Sequence, residues 1–202
     1  VYAFHPGYYR EADINPKGYF DFSGKERKNF EYGFEVFKND FINFYKSLKI
    51  DNNQSEVCLG FENLFPNADG TNDSFMCNYD EISKIFKEVE KENINLKLLI
   101  DLGHLAISSN IMGFDRYEFI EKIVKEFGHR IFEVHISEND GKNDLHDRIK
   151  KNSWQLEALE FFKKSKNFKN IIFTYESRGM SIEEIKNDIH LINQKILTNE
   201  KS

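Results

Sequence analysis

The chain has 202 residues, of which 40% are hydrophobic and 31% charged, enough for one globular domain over residues 1–202 with a packed core. A formal charge of −6 excludes a broad basic surface of the kind that grips nucleic acid, so small substrates are easier to accommodate. Two cysteines, Cys58 and Cys77, are too few for a disulfide framework, and no apolar stretch reaches the ~20 residues that span a bilayer; a soluble, cytoplasmic protein with no membrane partner is expected.

Along the chain, five short apolar runs alternate with five amphipathic stretches, the pattern of repeated βα units on a parallel sheet. The first run, Val1 to Phe4, ends at His5-Pro6-Gly7 and opens a long loop, Pro6 to Gly24. Phe30, Phe34, Phe37, Phe41, Phe44 and Leu48 then recur at helical spacing, which predicts a helix whose phenylalanine stripe is core. The second run, Glu56 to Phe61, ends at Glu62 and is followed by a second long loop, Asn63 to Tyr79. Asn78 and Glu81 have capping-box spacing ahead of a helix carrying Ile82, Ile85, Phe86 and Val89.

The third run, Leu96 to Asp101, closes on Asp101-x-x-His104, where the strand is expected to turn outward. A helix with Phe119, Ile120, Ile123 and Phe127 stops at Gly128, and the fourth run, Arg130 to His135, follows. Strand alternation points His135 to the same face as Glu133. Beyond it, Asp144 and His146 are spaced i, i+2, which lets an extended segment deliver both to one metal. A helix with Leu156, Leu159 and Phe162 leads to the fifth run, Asn170 to Tyr175, ending at Glu176. Ser181 and Glu184 then repeat the capping-box spacing before a last helix with Ile185, Ile189, Ile192 and Ile196.

His5, Glu62, Asp101, His104, His135, Asp144, His146 and Glu176 thus stand at or just beyond strand ends, which converge at one mouth in a parallel barrel. Carboxylates and imidazoles without thiolates suit a divalent metal, Mn or Zn first and Mg or Co as further options. A carboxylate that ends a buried strand also needs a partner, whether metal, hydrogen bonds or a salt bridge to Arg148 or Arg178. His129 and His190 lie off the pattern and read as structural.

The order Glu62, Asp101-x-Gly-His104, Val-His135-Ile-Ser-Glu-Asn-Asp-Gly, Asp144-x-His146 and Glu176 resembles the xylose-isomerase-like superfamily over essentially the whole chain. That superfamily includes sugar-phosphate isomerases and epimerases and the endonuclease IV group of apurinic-site nucleases. The resemblance implies a (β/α)8 TIM barrel of the xylose-isomerase-like type, with this chain supplying the last five βα units and lacking the first three. Five strands cannot close a ring of that architecture, so either a segment upstream or a partner chain completes it, or the sheet is open; a homo-oligomer is a further expectation.

In the epimerase branch the metal ligands map onto Glu62, Asp101, His135 and Glu176, with His104 and Arg148 facing substrate. In the nuclease branch all eight residues match the metal cluster, so His5, His104, Asp144 and His146 become further ligands. Where these relatives carry a Gly-containing stretch after the Asp-x-His, this chain reads Asp147-Arg148-Ile149-Lys150-Lys151-Asn152. The leading expectation is a metal-dependent isomerase or epimerase of a small sugar, sugar phosphate or polyol, with Glu62 and Glu176 exchanging the proton. The alternatives are a phosphodiester hydrolase acting on DNA at abasic sites and a barrel relative that has lost catalysis.

Overall fold

A computed structural model describes residues 2–16, 18, 20–48 and 58–197. Its strands are β1 (Tyr2–Phe4), β2 (Asp13–Ile14), β3 (Phe20–Asp21), β4 (Leu59–Glu62), β5 (Lys97–Asp101), β6 (Ile131–Ile136) and β7 (Ile172–Tyr175). The helices are α1 (Phe30–Leu48), α2 (Tyr79–Lys91), α3 (Leu102–Met112), α4 (Arg116–Phe127), α5 (Trp154–Phe162) and α6 (Ile182–Leu197). Val1, Glu56 and Val57, predicted as strand, lie outside the described residues.

Strands β1, β4, β5, β6 and β7 form one parallel sheet in that order, so each neighbour in the sheet is also the next long run in the chain. The expected (β/α)8 barrel is corrected here. The described residues form an α/β fold with a five-stranded parallel half-barrel sheet and six helices, and β1 and β7 do not pair with each other. Tyr2 on the edge strand β1 is 73% exposed. The physical reason is the spacing: strands about 4.8 Å apart turn through only part of a circle when there are five of them.

The sixth helix, α3, has no counterpart among the predicted stretches. Leu102 to Ser109 are all buried, so α3 shows no polar face and no amphipathic period for a sequence to display. The β2–β3 hairpin inside the loop from Pro6 to Gly24 was equally hidden, because two residues per strand carry no alternation. The α1 stripe holds only in part. Phe30, Phe34, Phe37 and Phe41 pack with Phe61 and Phe75, but Phe44 is 49% and Leu48 39% exposed, with Tyr45 buried in their place.

The core lies between the sheet and α1–α6 and contains Leu59, Phe61, Leu98, Ile100, Ile131, Val134 and Ile136 from the strands. Their strand neighbours Glu62, Asp101, Glu133 and His135 face the opposite, concave side. Between β5 and β6 the register shifts, pairing Leu98 with Ile131 but Leu99 with Glu133, so Phe132 is an extra residue. A Cβ at Gly60 would sit 2.6 Å from the Phe132 ring, which is why the facing position on β4 is glycine. Of the two predicted capping boxes, Ser181 and Glu184 bond each other's N–H groups (2.9 and 3.3 Å), whereas Asn78 accepts from the Glu81 N–H (3.0 Å) and the Glu81 carboxylate accepts from the Cys77 N–H (3.0 Å) instead of closing the box. Among the described residues no helix is long and apolar enough to cross a membrane.

Candidate metal centre

Asp101 closes β5 and stands in register with His135 on β6. Its two oxygens do different work. Oδ1 accepts the His104 N–H (2.7 Å) and caps α3, while Oδ2 is buried and has no hydrogen-bond partner among the described residues. His135 Nδ1, also buried and unpartnered, lies 3.7 Å from Asp101 Oδ2, 3.7 Å from Glu62 Oε1 and 3.4 Å from Glu176 Oε1. Ligand atoms of Glu62, Asp101 and His135 all fall within 4.8 Å of one another, and these three residues could hold a metal ion.

The fit is physical. Two donors about 2.1 Å from a shared tetrahedral ion are about 3.4 Å apart. Buried polar atoms with no hydrogen-bond partner are costly, so a cation at the centre of this group, displacing the proton from His135 Nδ1, would satisfy what the described residues leave open.

The remaining residues of the pattern gather around the same point. His5 Nε2 is 3.4 Å from Glu62 Oε2, and His104 Nδ1 is 3.4 Å from Glu62 Oε1. His104 Nε2 is 3.9 Å from Asp144 Oδ2, which is 2.8 Å from His146 Nε2. His146 Nδ1 returns to Glu176 Oε2 at 3.4 Å. All eight residues therefore meet in one continuous network. Asp144 and His146 reach it because the loop after β6 folds back, with Glu138 and Asp147 bonding through both backbone pairs (3.0 and 2.6 Å). His146 adopts φ 53°, a left-handed conformation rare for a residue with a Cβ and typical of side chains held in place by their surroundings.

The electrostatics match a cluster of carboxylates around imidazoles. Burial raises the Asp101 carboxyl, with His104 offsetting part of the effect. Burial would push His104 down, but Asp101, Asp144 and Glu62 hold it up at about 10. His135 is likewise lifted against burial to about 9, mainly by Glu176. Glu176 is held below the ordinary carboxyl value by His135. Asp144, which burial would raise, is lowered by His104 and His146.

Arg148, expected to face substrate, points elsewhere. Its Nε and one terminal nitrogen grip Asp188 (3.0 and 2.7 Å), and the other terminal nitrogen bonds Glu184 (2.9 Å), both on α6. His129 and His190 are exposed and outside the network. Sequence reasoning missed Asn63, whose side chain holds the Asp101 peptide from both sides (2.7 and 3.1 Å) and whose carbonyl accepts from His104 Nδ1–H (2.8 Å). Its only signal was its place directly after Glu62. Phe65, whose ring lies 4.7 Å from that of His104, was missed as well.

Compared with described protein families the chain matches none, and no curated protein matches it.

Proposed function

We propose that this chain is a divalent-metal-dependent isomerase or epimerase of a small hydroxylated carbonyl compound, such as a sugar or sugar phosphate. Its site resembles that of the xylose-isomerase-like superfamily without a closed ring around it. The observation that carries this reading is the pair of buried, unpartnered atoms, Asp101 Oδ2 and His135 Nδ1, flanked by the carboxylates of Glu62 and Glu176. Glu62, Asp101, His135 and Glu176 would hold the ion, and their O and N donors suit Mn or Zn, then Mg or Co. When bound, the cation polarises a substrate carbonyl and its neighbouring hydroxyl and makes the C–H between them more acidic.

The protein's own groups divide the rest of the work. Glu176, kept ionised by His135, would take the proton, and Glu62, more deeply buried on the other flank, would deliver one to the opposite face after a proton passes from Glu176 to it through solvent. His104, fixed by Asn63 and backed by Phe65, would offer substrate oxygens its Nε2 edge, which lies 3.9 Å from Asp144 Oδ2. The free thiols of Cys58 and Cys77 support a reducing, cytoplasmic setting.

With Mn present, incubating the full chain with a panel of ketoses in deuterated water should place deuterium on the carbon beside the carbonyl. Glu176→Gln should abolish that exchange. Absence of exchange across the panel for the unaltered chain overturns the reading.

A second reading, a phosphodiester hydrolase acting at abasic sites in DNA, is favoured by one specific observation. Glu62 and Glu176 each turn Oε1 to His135 and Oε2 to an outer histidine, His5 or His146, at 3.4 Å. Carboxylates divided in this way can bridge neighbouring cations, and clustered cations suit phosphodiester cleavage. One metal per chain by elemental analysis favours the isomerase. Two or three, with abasic-duplex cleavage that His146→Ala abolishes, favour the hydrolase.

A further inference from the structure

We propose that Glu133, held by Thr174, is a positioning residue that orients the His135 ring so that Nδ1 is the nitrogen offered to a metal. The inference rests on the reading of Glu62, Asp101 and His135 as a metal site. It begins with strand geometry. Glu133 and His135 are two apart on β6, so their side chains leave the same face of the sheet. Thr174 pairs with His135 across the β6–β7 ladder and therefore lies beside both.

The contacts follow from that placement. Glu133 Oε1 is 3.2 Å from His135 Nε2, and the Thr174 hydroxyl donates to the same oxygen. A carboxylate oxygen can only accept, so the nitrogen facing it carries hydrogen. With Nε2–H retained toward Glu133, the proton that a metal displaces is the one on Nδ1, the atom that is buried, unpartnered and ringed by Asp101 Oδ2, Glu62 Oε1 and Glu176 Oε1. Turning the ring half a revolution about Cβ–Cγ would aim carbon atoms at both Glu133 and the three carboxylates. Glu133 and Thr174 oppose that rotation, in the way that outer carboxylates fix metal-binding histidines elsewhere.

Among the described residues, no other ion-pair partner faces His135 Nε2. His104 has its own anchor in the Asn63 carbonyl, and His146 Nε2 is taken by Asp144. Among these three histidines, His135 is the one held by a residue of its own strand.

The test is titration of the full chain with Zn and with Co, together with nitrogen NMR of the zinc-loaded protein. Glu133→Ala should weaken binding by about 10- to 100-fold and alter the cobalt absorption spectrum. Glu133→Gln, which keeps an acceptor oxygen, should recover most of the loss, and Thr174→Val should cost about threefold, toward the low end of outer-shell effects. The NMR spectrum of the unaltered protein should show His135 coordinated through Nδ1 and protonated at Nε2. If Glu133→Ala does not fold, the Gln and Val variants and the NMR assignment decide the matter. Coordination through Nε2, or equal affinity in the folded variants and the unaltered chain, overturns the role of Glu133 and leaves the metal reading intact. No uptake of either ion by the unaltered chain overturns both.

Discussion

Two groups of charge lie at the same end of this molecule, and they are built on opposite principles. Around Arg148, the supply of donors matches the demand: the buried Asp188 accepts two guanidinium bonds and the Tyr175 hydroxyl (2.7 Å), and Glu184 takes the remaining fork. Around His135, the demand is left open, with Asp101 Oδ2, Asp144 Oδ1 and His135 Nδ1 all buried and unpartnered. A satisfied cluster stabilises the fold and has no capacity for a ligand. An unsatisfied one costs stability and is retained where something binds.

The largest effect should come from removing a ligand of the open cluster while keeping its structural bond. Asp101→Asn preserves an acceptor for the His104 N–H but loses the charge on the metal side. Its affinity for Mn or Zn should fall by at least about 100-fold. Without ion, thermal unfolding should place the variant level with or above the unaltered chain, because a buried, repelled carboxylate is gone. With ion at 100 times its Kd, the unaltered chain alone should gain about 2.7 kcal/mol. Equal ion-dependent stabilisation of both proteins breaks the contrast.

Arg148→Ala should behave in the opposite way, lowering the urea midpoint with metal affinity unchanged, because Asp188 is left buried without its guanidinium partner. Stability unchanged but a raised KM would return Arg148 to the substrate site.

Glu81 lies between the two extremes, satisfied yet desolvated. Burial lifts its carboxyl to about 7, although Cys77 N–H, Asn78 and Asn72 all donate to it. A carboxyl that binds its proton more tightly when folded contributes its full stability below its unfolded value, and loses it as pH rises through the folded value. Stability should therefore fall between about pH 5 and 7.5, by about 1.5 kcal/mol for a group that keeps some solvent contact. Glu81→Gln should flatten the profile in chemical denaturation. His104 and His135 add their own decline only above about pH 6.5, their unfolded value. A profile equally steep in the variant removes Glu81 as its cause. The smallest effect belongs to His190→Ala on α6, where the imidazole meets only Gln194; metal affinity should change by less than about twofold, the scale expected of a surface site.

Legibility in the sequence followed physical visibility. Strands β4 to β7 and helices α2, α4 and α5 were readable because burial on one or both faces leaves periodic or continuous apolar runs. Helix α3 was unreadable because burial on every side erases the period, and the outer end of α1 was misread because periodicity cannot tell whether a covering partner exists. The eight site residues were visible through their positions at strand ends. Arg148 was not placed correctly, because a cation near a site looks the same in sequence whether or not Asp188 awaits it forty residues later.

By itself, then, the sequence determined the parallel βα order and the set of residues that gather at the strand ends, since both follow from local patterns of apolarity and from chemistry carried by single residues. Tertiary structure decided the rest. Curvature and strand number left the sheet a half-barrel, and the register slip at Phe132 set which side chains share the concave face. Packing across β6 and β7 brought Thr174 to Glu133 and so gave each nitrogen of His135 a different neighbour. Those outcomes depend on distances between residues far apart in the chain, which no local pattern encodes.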